Sequence, residues 1–293
     1  MDRLLIIGID SFTGKHLETY LKNFSYDIYG TTLSDLNNNN IYFCNIKDKE
    51  NIKEVLFKVN PDYIIHLAGI SYAAHNNLED FYSINTIGTL NILEAVIDLN
   101  IKLKKIIIAS SATVYGNQGL EILDESLCPQ PSNHYGASKY SMETLAKNYF
   151  DKIPIIIARP FNYTGIGQEE HFLIPKIVKH FKEKNNTIEL GNLDVVREFN
   201  DISFVCEVYD KLLKIQQSSE VVNICSNRGV KLLDIIKIMQ EITNHNIEVK
   251  INSKFVRKDD IKTLTGSNKK LFSLIGTVEQ IEMKNTLEKM LNR

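Results

Sequence analysis

Tyr135-Gly136-Ala137-Ser138-Lys139 sets a phenol and an ammonium four residues apart in a segment whose pattern predicts a helix, so both side chains share one face, one turn apart. Such a pair can do proton chemistry. A nearby cation stabilises the phenolate, draws the tyrosine below its ordinary pKa of about 10, and lets it exchange a proton near neutral pH. Upstream, Ala109-Ser110-Ser111-Ala112-Thr113-Val114-Tyr115-Gly116 closes an apolar run with hydroxyls, and Ser111 is the candidate to hold the oxygen of a reacting group. Tyrosine and lysine at this spacing also occur as exposed surface pairs, so the spacing alone leaves both readings open.

A second chemistry-bearing segment opens the chain. Gly8-Ile9-Asp10-Ser11-Phe12-Thr13-Gly14 follows an apolar run and leads into a helical pattern, the context in which backbone N–H groups and a helix N-terminus face a pyrophosphate. Gly8, Ser11, Phe12, Thr13 and Gly14 are the candidate contacts. A strand-to-helix turn that needs glycine only for its backbone angles is the alternative.

The elements that must position these residues are legible as alternation. Short β-branched runs, Leu4 to Ile7, Asp27 to Gly30, Tyr63 to His66, Lys105 to Ala109 and Pro154 to Ala158, are separated by helix-patterned segments from Gly14, Asn51, Leu78 and Tyr135. That order predicts an α/β fold, a doubly wound parallel sheet of Rossmann type, with both candidate segments at its carboxyl edge. After Pro160 the texture changes, through Asn162, Gly165 and Gly167 to an amphipathic segment over Phe172 to Lys184 and a Gly191-Asn192 turn. Glu220 to Cys225 reads as a strand returning to the sheet. The predicted organisation is a dinucleotide-binding domain, 1–160 plus about 198–226, and a smaller substrate-binding lobe, 161–197 and 227–293.

Composition narrows the partners. The 293 residues are 43% hydrophobic with a formal net charge of -2, enough to bury a sizeable core. No basic stripe predicts nucleic-acid binding. No apolar run is long enough to span a membrane, and the N-terminal run is too short for a signal peptide, so a cytoplasmic location is expected. Cys44, Cys128, Cys206 and Cys225 are scattered without CxxC pairing, which predicts neither a disulfide framework nor a metal site.

These motifs together, in this order, resemble the extended short-chain dehydrogenase/reductase superfamily. The glycine turn is similar to its GxxGxxG, with Ser11 in place of the middle glycine. The resemblance implies a nicotinamide cofactor, with Leu67, Ala68 and Gly69 forming a wall beneath it, Asn85 bracing the central helices near the active site, Ser110 and Pro160 at strand ends, and Lys139 gripping the nicotinamide ribose. Relatives usually carry an aspartate beside the adenine where this chain has Asn45-Ile46. The second strand ends Gly30-Thr31-Thr32-Leu33-Ser34 without the acid that favours NAD, which predicts NADPH, with Thr32 and Ser34 toward its phosphate; NADH or retained NAD stays open.

The run Arg159-Pro160-Phe161-Asn162-Tyr163-Thr164-Gly165-Ile166-Gly167-Gln168, with Phe172-Leu173-Ile174-Pro175-Lys176 behind it, resembles the GDP-mannose dehydratase and GDP-4-keto-6-deoxymannose reductase branch. So does Gly191 to Asp201. The resemblance implies a nucleotide-diphosphate sugar as partner, contacted by Ser111, Asn162, Lys176, Arg197, Arg257 and Asp260, the arginines suited to phosphate. It also implies a homodimer through the helices near Leu78 and Tyr135. Dehydratases of the branch carry an acid just after the catalytic hydroxyl; here stand Ala112 and Thr113, with Asp124 and Glu125 as conceivable substitutes. The expected activity is reduction of an NDP-4-keto-6-deoxysugar at C4, GDP preferred, with Tyr135 as proton donor. A nucleotide-sugar 4-epimerase and a non-catalytic cofactor-binding scaffold or redox sensor are the alternatives.

Overall fold

The computed structural model describes residues 1–34, 39–72, 75–256 and 261–293. The chain opens with β1 (Asp2–Ile7), α1 (Phe12–Leu21), β2 (Tyr26–Thr32), β3 (Ile41–Phe43), α2 (Lys49–Val59) and β4 (Tyr63–His66). A short α3 (Leu78–Asp80) widens into a π-helical stretch, Phe81–Gly88, and tightens again into α4 (Thr89–Asp98). Then come β5 (Lys105–Ala109), a 3-10 turn at Ala112–Tyr115, α5 (His134–Lys147) and β6 (Ile155–Pro160). The later part comprises β7 (Tyr163–Thr164), α6 (Leu173–Lys182), β8 (Thr187–Leu190), β9 (Val196–Arg197), β10 (Asn200–Asp201), α7 (Ile202–Lys214) and β11 (Glu220–Ile224). It ends with β12 (Val230–Lys231), α8 (Leu232–Thr243), β13 (Glu248–Ile251), β14 (Thr263–Leu264), α9 (Lys269–Ile275) and α10 (Met283–Leu291).

Seven parallel strands form the main sheet in the order β11-β6-β5-β4-β1-β2-β3. The direction of winding reverses between β1 and β4, which opens a crevice at the carboxyl ends of those strands. Strand periodicity explains why both faces must be covered. Leu4 and Ile6 of β1 enter one core with α1 and α7, while Leu5 and Ile7 enter the other with α2, α4 and α5. β5 and β6 divide their isoleucines the same way.

Four covering helices start on side-chain caps: Ser11, Asp48, Asn77 and Asn133 each accept from backbone N–H groups of the following turn. These caps set the starts at Phe12, Lys49, Leu78 and His134. A third core joins α6, α8 and α10, with Ile177, Phe181, Ile235, Met239 and Leu287 buried together. Small sheets of β12-β9-β14, β13-β8 and β10-β7 link these later segments. No helix among the described residues is long and apolar enough to cross a membrane.

Candidate active site

The glycine-rich turn follows from close approach. Gly8 donates its N–H to the Thr31 carbonyl at 3.2 Å, and the Ser11 hydroxyl accepts from Gly14 N–H at 3.0 Å. A Cβ on Gly14 would stand 2.5 Å from the carbonyl oxygens of Gly8 and Ile9, so only glycine lets α1 begin this close to the strand. Ser11, the departure from the family's middle glycine, is thereby the cap of α1. Phe12 stacks on Tyr163, and buried Thr13 shares a 2.8 Å hydrogen bond with the Tyr163 hydroxyl. The turn is tied to the segment that follows β6.

Leu67 and Ala68 both donate to the Ile7 carbonyl at 2.9 Å, folding the end of β4 over β1, and Gly69 lies against Asn85 and Lys139. Asn85, fully buried on the π-helical stretch, accepts from Ile70 N–H and donates to the Ile70 carbonyl and the Ser138 hydroxyl. Its amide is a brace between the β4 loop and α5. At the sheet's other edge, the Asn45 side-chain oxygen accepts from Lys47 N–H at 3.1 Å and Ile46 is buried. Thr32 donates its hydroxyl to Asp10 at 2.6 Å. Among the residues singled out in the sequence, Asn45, Ile46 and Thr32 therefore lie toward the β2–β3 edge, away from the Ser111, Tyr135 and Lys139 group.

That group is assembled by the end of β5 and the start of α5. Gly136 explains how they meet: a Cβ there would come within 2.8 Å of the Thr113 carbonyl, so α5 can rest against the 3-10 turn. The Ser111 oxygen accepts from Thr113 N–H at 3.2 Å and from the Thr113 hydroxyl at 2.9 Å, which leaves its own proton for an acceptor on the Tyr135 side. Tyr135 is buried, and that burial lifts its phenol to about 12, opposed by the neighbouring Ser111 hydroxyl. The sequence suggests a phenol drawn down by Lys139. Here burial sets the direction, the one opposing influence comes from Ser111, and Lys139 donates instead to the Ala109 carbonyl at 2.8 Å. Burial pulls the Lys139 ammonium down to about 8, opposed by Glu143.

Sequence reasoning missed what lies beneath. Glu143, fully buried and one turn beyond Lys139, accepts from Ser110 at 2.5 Å and from Arg159 Nε at 2.9 Å and Nη2 at 2.6 Å. Arg159 in turn lies over the Tyr115 ring, 4.8 Å from its centroid. The available signals were a charged residue inside an apolar strand and a glutamate at helical spacing from Lys139.

The remaining singled-out residues fan outward. Pro160 ends β6, and Asn162 is exposed, its carbonyl accepting from Asn200 N–H at 2.9 Å. Lys176 donates to the Glu189 carbonyl at 2.7 Å and sits 4.2 Å over the Phe255 ring, and the Arg197 guanidinium donates to the carbonyls of Val196 and Lys262. Arg257 and Asp260 lie outside the described residues. Asp124 is bonded to Ser126, and Glu125 to Asn223 N–H at 2.8 Å.

A parallel sheet with a glycine cradle at its switch point and a serine, tyrosine and lysine grouped at its carboxyl edge defines an oxidoreductase of the extended short-chain dehydrogenase/reductase class, served by a nicotinamide cofactor. The chain belongs to the family described as GDP-mannose 4,6 dehydratase, whose model matches residues 5–290. It is 37% identical over 275 residues to the GDP-6-deoxy-D-talose 4-dehydrogenase of Aggregatibacter actinomycetemcomitans, spanning 94% of this chain and 91% of that one. The GDP-6-deoxy-D-mannose reductase of Pseudomonas aeruginosa is 29% identical over 301 residues, 99% and 96% of the two chains. The solved structure of RMD from Pseudomonas aeruginosa complexed with NADPH superposes with a TM-score of 0.88 at 28% identity, covering 100% of this chain and 98% of that one.

Proposed function

We propose that this chain is an NAD(P)-dependent C4 oxidoreductase of a GDP-linked 6-deoxysugar, working as a reductase of the 4-keto sugar. The observation that carries the reading is the state of the three catalytic side chains. Tyr135, lifted to about 12, keeps its proton at neutral pH and is a donor to the C4 oxygen. Ser111, whose oxygen is already engaged by Thr113, has its proton left to hold that same oxygen. Lys139, at about 8, is mostly charged at neutral pH and favours the negative charge developing as the phenol gives up its proton.

The glycine-rich turn is suited to a dinucleotide pyrophosphate, because Gly14 lets α1 begin hard against the end of β1 and so brings the helix N-terminus to the carboxyl edge of the sheet. The bound dinucleotide would supply the hydride. Gly8 to Gly14, the Leu67 to Gly69 wall, Ser110 and Lys139 are the residues proposed to hold it, and Asn162, Lys176, Arg197, Arg257 and Asp260 to meet the nucleotide sugar. Elimination of water is disfavoured as the main activity. It needs a carboxyl group beside the hydroxyl, and Ala112 and Thr113 follow Ser111 while Asp124 and Glu125 are committed elsewhere. The 4-dehydrogenase name of the first relative supports C4 as the reacting carbon, and the reductase name of the second supports the direction of the reaction.

The test mixes purified protein, NADPH or NADH, and GDP-4-keto-6-deoxymannose generated by a dehydratase, and follows loss of the reduced nicotinamide absorbance. Oxidation of the cofactor is expected. No oxidation with either form, together with NAD released when the protein is denatured, would replace the reductase by the 4-epimerase.

A further inference from the structure

The second strand lacks a terminal acid, yet an acid stands beside its end. Asp10, in the turn between β1 and α1, receives the Thr32 hydroxyl at 2.6 Å, and Thr32 in turn accepts from Ser34 N–H at 3.0 Å. The threonine hydroxyl is thus occupied on both sides and fixes the carboxylate over the last residue of β2. Asp10 is half-buried, it directly precedes the cap of α1, and among the described residues it has no ion-pair partner. A carboxylate is well placed there, because it lies beside the helix N-terminus, whose partial positive charge stabilises an anion.

In a sheet of this winding the adenosine ribose of a dinucleotide rests at the end of the second strand, beside the glycine-rich turn. An acid in that place accepts from the ribose 2′-OH and repels a 2′-phosphate. We propose that Asp10, reaching across from the glycine-rich turn and held by Thr32, selects NAD(H) against NADP(H). The inference rests on the nicotinamide reading above and takes the side opposite to the one the bare strand end suggests. The acid comes from a different segment than the strand, and the described residues of the strand end, Gly30 to Ser34, include no lysine or arginine to welcome a phosphate. Of the two hydroxyls expected to meet that phosphate, on Thr32 and Ser34, that of Thr32 is spent on Asp10.

Calorimetric titration of NADH and NADPH into the purified wild-type chain and its Asp10→Asn and Asp10→Ser variants, each checked for folding by thermal melting, reads the two affinities without turnover. Wild-type protein should bind NADH at least roughly tenfold more tightly than NADPH, and either variant should cut that ratio by about tenfold or more, a change of about 1.4 kcal/mol. The asparagine can still accept from Thr32, so its effect isolates the charge. Equal or tighter binding of NADPH by the wild type, or a ratio unmoved in both variants, overturns the proposal. So does a shift produced by Asp35→Asn, at the acid that follows Ser34 in the sequence, in place of Asp10→Asn. If neither nucleotide binds the folded wild type, the nicotinamide reading falls and takes the selector with it.

Discussion

Replacing Glu143 by alanine measures what the buried pair beneath the active site is worth. Both partners are almost inaccessible, with side-chain exposures of 2% for Arg159 and 0% for Glu143, and they meet through two hydrogen bonds of 2.9 and 2.6 Å. Burial works against the charge of Arg159 and Glu143 more than restores it; because a guanidinium does not give up its proton in proteins, the variant leaves it buried and charged with no counter-charge. One of its nitrogens, Nη1, already lacks a partner. Breaking such a pair from one side costs about 3–5 kcal/mol. Ser110 loses its acceptor as well. In urea this corresponds to a fall in the unfolding midpoint of about 1–2 M. The double variant Glu143→Leu with Arg159→Met should recover most of the loss, because it removes the stranded charge along with the bond. Glu143 also supports the Lys139 ammonium, so any folded Glu143 variant should lose turnover at lower pH than wild type. A fall of under about 0.3 M for Glu143→Ala, or no difference between single and double variants, would refute the reasoning.

Four further outcomes are expected. The rate of ketosugar reduction should be level below neutrality and decline as pH rises through about 8, because Lys139 then sheds its proton while Tyr135 keeps its own; a pH profile of kcat that instead rises there contradicts the assignment. Tyr135→Phe should lower kcat by roughly 100- to 10,000-fold, with dinucleotide affinity measured by calorimetry little changed. Thr113→Val should lower kcat by about tenfold with an unchanged melting temperature, because Ser111 loses the nearer of the two donors that orient its proton and keeps only the Thr113 backbone N–H. Glu198→Ala should destabilise the chain by about 3 kcal/mol or more, as read in the same urea experiment, since Glu198 is fully buried and accepts from Ser226 and Gly266 N–H groups at 2.6 Å and from the Asn200 side chain at 3.2 Å.

Much of this architecture is visible in one-dimensional patterns because the physics behind it is local. Isoleucines that alternate between two faces mark β5 and β6, and the Tyr135 to Lys139 spacing follows from one helical turn. Helix starts were less legible, since Ser11, Asp48 and Asn133 are caps only once the next turn has folded back on them. Contacts between distant segments were not legible at all. Glu143 and Arg159 look like unrelated charges sixteen residues apart until α5 lies on β6. Asp10 lies in the turn after β1, 22 residues before the Thr32 hydroxyl that it accepts from, so nothing in the sequence at the end of β2 points to it. Thr113 stands where dehydratases of the branch carry an acid, and its hydroxyl, which no sequence pattern singles out, holds Ser111.

Glu198 also sets a schedule for synthesis. Its partners, Asn200, Ser226 and Gly266, come from three widely separated stretches, so its carboxylate cannot be satisfied until the last of them has left the ribosome. The six strands through Pro160 contain the glycine turn and the catalytic trio and need nothing beyond themselves to pair, whereas β11 joins their edge some sixty residues later. A nascent chain halted between these points would carry the chemistry while β6 still offers an open edge, the kind of surface on which unfinished sheets stick to one another. Pairing of β11 closes that edge, and the Glu198 carboxylate, bonded to Ser226 just beyond β11 and to Gly266 later still, locks the closure in place.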